Sequence, residues 1–260
     1  MTERIRFKGI IPPLITPLSK SGGVSEKSVQ NLIDYLRPYS SALLPLLTTG
    51  EGWRLEKKQW LTMLEYTLKY SQGMPVAAGI EFPETEQVIK YGLIAKKFGV
   101  DAIVVTTPFH QDLKQDQIFN HFSEIAAAVN TPIIIYHEQG FSKNRIALET
   151  MIKICELENI VGIKEASGDI DYTNKLIGSV QVPVFQGWEH LAFTTQNPAG
   201  YIFPLANLEP QICWEMYAHP SANIQRRLDE LCKKYDINDV APSGNIKIHL
   251  KQKGIILSEA

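Results

Sequence analysis

The chain has 260 residues, 44% hydrophobic and 21% charged, and this length is near that of a single (β/α)8 barrel. Its formal net charge of −2, without a dense Lys/Arg run, argues against nucleic acid or an anionic membrane as a partner. The three cysteines, Cys155, Cys213 and Cys232, are far apart and form no CxxC pair, so we expect reduced thiols in a cytoplasmic protein rather than a disulfide framework or a zinc site.

Short apolar runs alternate with helical patterns along most of the chain, and this alternation predicts βαβ units around a parallel sheet. The helical segments carry apolar residues at three- and four-residue spacing, as at Val29, Leu32 and Ile33. Eight such runs predict a closed α/β barrel of the TIM type. An open doubly wound sheet is the alternative, but no glycine-rich phosphate motif follows the first run, and Pro12-Pro13 would be awkward inside such a strand. The predicted strands are 9–16, 42–47, 76–79, 102–105, 132–136, 160–164, 184–186 and 201–203.

The alternation stops near residue 220. Ile224, Leu228 and Leu231 then predict one amphipathic helix, and residues 246–254 predict a second short helix that ends at Gly254. Since no low-complexity linker precedes them, we expect a barrel over residues 1–220 and a C-terminal helical extension over 221–260 that packs on the barrel.

One apolar run ends in a lysine. The β-branched segment 160–163 leads into Lys164, and residues 167–169 offer a turn and an N-cap for a helix that begins near Ile170. In a barrel, the carboxyl end of a strand is where catalytic groups gather, and a desolvated lysine there can lose its proton and attack a carbonyl. Taken alone, Lys164 is better interpreted as an ordinary solvated lysine at a strand end, and the catalytic interpretation depends on the other strand ends.

The residues just past the other strands face the same barrel mouth, and they form a chemically coherent set. The hydroxyls of Thr48 and Thr49, at a glycine-assisted turn, follow the second strand and are suited to bind a carboxylate. The fifth strand ends at Tyr136, whose phenol can relay a proton. Each has a plainer alternative, since the threonines could cap the next helix, the tyrosine could be a core residue with a wet tip, and the histidine could lie on a surface loop. The candidate catalytic residues are Lys164, Tyr136 and Thr48, and the candidate substrate-binding residues are Thr49, Gly50, His110, Gly187, Glu189 and Phe203.

Three motifs resemble those of the dihydrodipicolinate synthase and N-acetylneuraminate lyase family of class I aldolases: Leu47-Thr-Thr-Gly-Glu51, Ile134-Ile-Tyr136 and Gly162-Ile-Lys-Glu-Ala-Ser-Gly168. The resemblance extends from about residue 9 to residue 254. It implies a pyruvate-type 2-oxo acid that forms an imine with Lys164, a carboxylate held at the Thr48 turn, and proton relay by Tyr136 aided by Thr48. It also implies no cofactor beyond the covalent imine, an aldehyde as the other substrate, and a homodimer or homotetramer.

The chain departs from the family pattern at several positions. Leu47 replaces a glycine beside the carboxylate cradle, and His110 lies near the place of a tyrosine that a neighbouring subunit supplies in the synthases. Phe141 falls where the synthases have an arginine that binds the carboxylate of the second substrate; Lys143 or Arg145 could replace it only with a shifted loop. We therefore expect an aldehyde partner other than aspartate semialdehyde.

Two functions remain in view. The first is a cofactor-free lyase or aldolase, which the joint presence of Thr48, Tyr136 and Lys164 favours. The second is a catalytically idle relative that binds a 2-oxo acid or acts as a scaffold. A metal-dependent barrel hydrolase would need clustered His and Asp ligands at the strand ends, and the sequence offers none, so we expect no metal. Glu165 follows Lys164 directly and should point away from it, because neighbouring residues of a strand face opposite sides.

Overall fold

The structure, a computed structural model, describes residues 7–109, 112–238 and 241–260. Within these residues, parallel strands lie in the order β1-β7-β6-β5-β4-β3-β2 and helices follow most of them. The strands are β1 (Gly9–Ile10), β2 (Ala77–Ile80), β3 (Ala102–Thr106), β4 (Ile133–Glu138), β5 (Ile160–Ala166), β6 (Val184–Gln186) and β7 (Gly200–Tyr201). The helices are α1 (Glu26–Leu36), α2 (Lys57–Tyr70), α3 (Thr85–Phe98), α4 (Gln115–Val129), α5 (Leu148–Cys155), α6 (Ile170–Ser179), α7 (Pro210–Ala218), α8 (Ala222–Tyr235) and α9 (Ser243–Gln252).

The segment 42–47, predicted as the second strand, closes the barrel without forming a regular ladder. Isolated parallel bridges join Leu44 to Pro13 and Leu43 to Val76, so this segment spans the gap between β1 and β2. Its neighbour at Pro13 and its own Pro45 lack the amide hydrogen that a ladder needs, and Leu46 adopts a left-handed φ of 70°. The predicted (β/α)8 architecture is confirmed, with one strand position held by bridges alone.

Local sequence signals explain where the helices begin. The Asp169 side chain accepts a hydrogen bond of 3.0 Å from the Tyr172 amide, so α6 starts at Ile170 as the sequence predicted. Ser221 caps α8 in the same way through the amide of Ile224, at 3.3 Å. Both predicted C-terminal helices are present, although the second begins at Ser243, earlier than expected. None of the helices in the described ranges is long and apolar enough to cross a bilayer.

Two apolar clusters lie on opposite faces of the strands. Because successive strand residues face opposite sides, Tyr136 points into the barrel while Ile135 packs outward against the helices. The outer cluster fills the layer between strands and helices and includes Phe122, Ile163 and Leu176. This alternation decides which residues reach the barrel mouth. The inner cluster consists of Phe7, Ile11, Ala42, Leu44, Leu47, Ala77, Ala102, Val104, Ile134, Tyr136, Ala166, Phe185 and Ile202.

Candidate active site

Lys164 and Tyr136 are partners in the register of β4 and β5, and both side chains are buried inside the barrel. The Lys164 Nζ lies 3.8 Å from the centroid of the Tyr136 ring. Burial lowers the pKa of Lys164 to about 8, because desolvation disfavours the ammonium form more than the nearby carboxylates favour it. About a tenth of this amine is therefore neutral, and nucleophilic, at pH 7.

The turn that carries Thr48 is held by close backbone contacts. A Cβ added at Gly50 would lie 2.6 Å from the carbonyl oxygen of Leu14, and one at Gly79 would lie 2.5 Å from the amide nitrogen of Leu47. These glycines let the turn rest directly on the neighbouring strands. The Thr16 hydroxyl also donates to the Gly50 carbonyl at 2.6 Å.

The C-terminal helix α9 supports the same turn. Lys247 of α9 donates to Glu51 at 2.5 Å, and both side chains are buried or nearly so. Arg54 forms a second ion pair with Glu51. Thr48 and Thr49 are each only 2% exposed, so both residues of the turn are buried.

Thr48 connects the phenol of Tyr136 to a carboxylate. The Thr48 hydroxyl donates to Oε1 of Glu81 at 2.6 Å, and the Thr48 side chain is close enough to Tyr136 to lower the pKa of that phenol against the larger effect of burial. Burial raises the pKa of Glu81 to about 7 and raises the pKa of Tyr136 well above its usual value. Phenol, hydroxyl and carboxyl group thus follow one another along a path on which a proton can move.

Two further carboxylates lie near Lys164. Glu138 accepts backbone hydrogen bonds from Phe141, at 2.8 Å, and from Ser142, at 3.2 Å. Glu189 accepts one from Leu205 at 2.9 Å, and burial raises its pKa to about 7. The interior of the barrel mouth is therefore acidic apart from the lysine.

Gly187 lies beside the lysine. A Cβ there would be 2.8 Å from the Ala166 Cβ and 3.4 Å from Lys164 Cε, so any larger residue would crowd the lysine side chain. The structure thus brings together Lys164, Tyr136, Thr48, Gly187 and Glu189 of the predicted set, with Thr49 and Gly50 on the adjoining turn.

Phe203 does not join this set, and its prediction as a substrate-binding residue is corrected. Its ring stacks on Tyr201 at 4.7 Å in the outer cluster, whereas Ile202 faces the inner cluster. The reason is the alternation of the strand, which turns residue 203 outward when residue 202 points in. His110 lies outside the described residues.

Sequence reasoning missed two buried acids, Glu81 and Glu138. Both lie on the inner face by alternation, since Glu138 is two residues beyond Tyr136 and Glu81 is two beyond Gly79. The same alternation puts Thr106 opposite Tyr136; its buried hydroxyl has no hydrogen-bond partner among the described residues. The period of two was the signal that could have found all three.

Aromatic side chains surround the position where the synthases have an arginine. Phe141 packs on Trp53 at 5.5 Å and edge-on against Phe109 at 4.9 Å. Arg145 pairs with Asp169 at 2.8 Å, and the Lys143 ammonium donates to the Gly140 carbonyl. Neither basic side chain takes over the position of Phe141.

The model of the dihydrodipicolinate synthetase family matches residues 6–259, which is nearly the whole chain. The chain belongs to this family. A 4-hydroxy-tetrahydrodipicolinate synthase from Bartonella bacilliformis is 32% identical over 226 residues, covering 82% of this chain and 74% of the relative. One from Porphyromonas gingivalis is 30% identical and covers 98% of this chain and 90% of the relative.

Solved structures of dihydrodipicolinate synthases share the fold. The chloride-inhibited enzyme from Acinetobacter baumannii, crystallised with pyruvate, superposes with a TM-score of 0.87 at 26% identity, over 97% of this chain and 91% of that one. The chain thus has the fold of a family of class I lyases. Over the described ranges, no group of three or more His, Cys, Asp or Glu side chains is arranged to hold a metal ion.

Proposed function

We propose that this protein is a class I lyase or aldolase in which Lys164 forms a Schiff base with pyruvate or a related 2-oxo acid. The observation that carries the proposal is the buried Lys164 Nζ, 3.8 Å above the Tyr136 ring, with a pKa lowered to about 8. A neutral amine can add to the ketone, and the protonated imine then withdraws electrons so that the adjacent carbon loses a proton or a carbon–carbon bond breaks.

The other residues of the site take roles that follow from their positions. The turn carrying Thr48, Thr49 and Gly50 holds the carboxylate of the 2-oxo acid, and Gly187 leaves room for the carbon skeleton beside Lys164. Tyr136 moves protons to and from the reacting oxygen, and it exchanges them with Thr48.

The second substrate is an aldehyde other than aspartate semialdehyde. An added carboxylate would meet Phe141 instead of an arginine, and it would enter a site that already contains Glu81, Glu138 and Glu189. The aromatic group at Phe141 and Trp53 favours a less charged aldehyde, and Glu189 is placed to accept a hydrogen bond from a hydroxyl on it. The chemistry uses the imine on Lys164 and no separate cofactor. We place the enzyme in the cytoplasm as a homo-oligomer.

Borohydride trapping tests this function directly. The intact protein is incubated with pyruvate, reduced and digested, and mass spectrometry should locate one reduced pyruvate adduct on Lys164. Lys153→Arg, which changes an exposed lysine of α5, is the matched control and should trap as the parent does. Pyruvate that binds a folded protein without forming an adduct would support the idle relative instead of the lyase.

A further inference from the structure

We propose that Glu81 is the terminal acid–base group of this site, giving a proton through Thr48 and Tyr136 when the imine forms and taking it back when the imine is hydrolysed. This inference rests on the proposed Schiff-base function. Glu81 acts through Thr48 and does not itself touch the substrate, so it is a positioning residue for the proton.

The hydrogen bonding of Glu81 differs from that of Glu138 and Glu165. Both oxygens of Glu138 accept hydrogen bonds from backbone amides, and both oxygens of Glu165 have partners, in His137 and the amide of Ser167. Glu81 is 1% exposed, yet only its Oε1 is engaged; its Oε2 is buried without a partner among the described residues. Burying a carboxylate with a single hydrogen bond destabilises the folded protein, so a purely structural role does not explain why a glutamate is present here.

The surroundings allow Glu81 to change its protonation state. Burial, and to a smaller extent Glu138 at the end of β4, favour the acid, while the Thr48 hydrogen bond and Lys164 from β5 favour the carboxylate. The result is a pKa of about 7 for Glu81, beside a pKa of about 8 for Lys164. Because these two pKa values are close, a proton can move between the acid, the amine and the substrate with a small change in free energy.

The proton transfer balances without any other reactant. The neutral Lys164 amine adds to the carbonyl and gives a carbinolamine. Its hydroxyl takes a proton from Tyr136, Tyr136 takes one from Thr48, and Thr48 takes one from the Glu81 carboxyl group. The C–O bond breaks, and the products are water, a protonated imine on Lys164 and the Glu81 carboxylate. That carboxylate is then the counter-ion of the new positive charge.

The substitution Glu81→Gln tests the idea, because glutamine can accept the Thr48 hydrogen bond but cannot supply a proton at neutral pH. The readout needs no aldehyde: exchange of the pyruvate methyl protons for deuterium, followed by NMR, reports imine and enamine formation. In the parent, we expect a bell-shaped pH profile. The rate rises as Lys164, with a pKa of about 8, loses its proton, falls as Glu81, with a pKa of about 7, loses its own, and is highest between these two values.

In Glu81→Gln the falling limb should disappear and the maximum rate should drop by about 100-fold, while the final yield of borohydride-trapped adduct stays that of the parent. Glu86→Gln, an exposed change on α3, is the matched control and should keep the full parent profile. Glu81→Asp, which keeps a titrating group, should retain a falling limb at a reduced rate. If the glutamine variant does not fold, the aspartate variant is used for the test instead.

The outcomes separate this inference from the function on which it rests. A parent that traps pyruvate, together with a Glu81→Gln variant that keeps the falling limb, would overturn the role of Glu81 and leave the Schiff base intact. A parent that traps no pyruvate would remove both.

Discussion

The Nδ1 of His137 lies 2.7 Å from Oε2 of Glu165, and both side chains are fully buried on the outer face of β4 and β5. The Ile146 amide donates to Nε2 of the same ring at 3.1 Å, so the hydrogen of the imidazole is on Nδ1 and is donated to Glu165. The other Glu165 oxygen accepts the Ser167 amide at 2.7 Å. The pair lies directly behind Tyr136 and Lys164 and ties the segments that follow both strands, and Glu165 points away from the site as predicted.

Removing this carboxylate should destabilise the fold. Glu165→Ala leaves a buried imidazole N–H and a backbone amide without acceptors, and we expect a loss of about 3 kcal/mol in the free energy of unfolding. Glu165→Gln retains an acceptor oxygen and should lose less. Urea denaturation measures both, with Glu158→Ala, an exposed glutamate after α5, as the control. Equal stability of Glu165→Ala and the parent would show that the pair is dispensable.

Tyr136→Phe removes the hydroxyl that contacts Thr48 and leaves the ring beneath Lys164 in place. Turnover should slow by roughly 10²-fold or more, while imine trapping with pyruvate remains at least partly intact. Tyr172→Phe is a suitable control because that hydroxyl is buried in the outer layer, without a hydrogen-bond partner in the part of the chain the structure describes. Unchanged turnover in Tyr136→Phe would remove this phenol from the proton path.

Lys164→Met should stabilise the protein as it abolishes activity. The unfolded chain keeps the lysine proton up to a pKa of 10.5, whereas the folded protein keeps it only to about 8. The penalty of burying the amine is therefore complete below pH 8 and fades as the pH rises toward 10.5. The difference between these two pKa values corresponds to a penalty of about 3 kcal/mol. This is an upper bound on the stability gained by Lys164→Met, because three glutamates lose a nearby cation in the variant.

Urea denaturation at about pH 7 and about pH 10 checks this pH dependence. The gain of Lys164→Met over the parent should be larger at the lower pH. Lys153→Met, at an exposed position of α5, should show no gain at either pH. A gain of the same size at both values would contradict the assignment of the penalty to the buried charge.

Phe141 should decide the choice of aldehyde. With pyruvate as donor, aspartate semialdehyde should give a lower kcat/KM than neutral aldehydes of similar size, because it lacks a charge-assisted partner worth about 1.5 to 3 kcal/mol. Phe141→Arg should raise kcat/KM for the semialdehyde by about tenfold or more, and Phe141→Leu should not. If the parent itself prefers the semialdehyde by tenfold, Lys143 or Arg145 must reach the carboxylate.

The protein should be a homodimer or a homotetramer. Trp214 and Tyr217, three residues apart on α7, are 43% and 37% exposed and form an apolar face that an interface would cover. Light scattering at micromolar concentration should give a mass two or four times the 29.3 kDa of one chain. A single species at the mass of one chain would exclude this assembly.

The alternation of apolar runs with helical patterns was sufficient to predict the barrel, since a strand buried on both faces and a one-sided helix leave different periods in the sequence. The segment 42–47 was harder, because its composition is that of a strand while Pro45 and the left-handed Leu46 prevent a regular ladder. Strand propensity describes single residues, but a regular ladder needs backbone amide donors on both of the paired strands.

The residues of the candidate active site were also predictable only in part. Lys164 ends an apolar run, and its position could be predicted from local sequence. Phe203 was misplaced because its facing depends on where the short strand β7 lies, and that strand ends at Tyr201, two residues earlier than predicted. Alternation could have placed Glu81 on the inner face, but its contact with Thr48, 33 residues away in the chain, is one that no local pattern reports.

The pairing of β1 with β7 also bears on how the chain folds. Gly9 and Gly200 are register partners, and a Cβ on Gly200 would lie 1.9 Å from the Gly9 carbonyl oxygen, so the two backbones meet only because residue 200 carries no side chain. Bringing such distant residues together costs about 5 kcal/mol in loop entropy, against about 3 kcal/mol for the bridge from Pro13 to Leu44. The contiguous strands β2 to β5 can assemble through shorter loops, and the first and last strands of the barrel should join after them, as the closing step of folding.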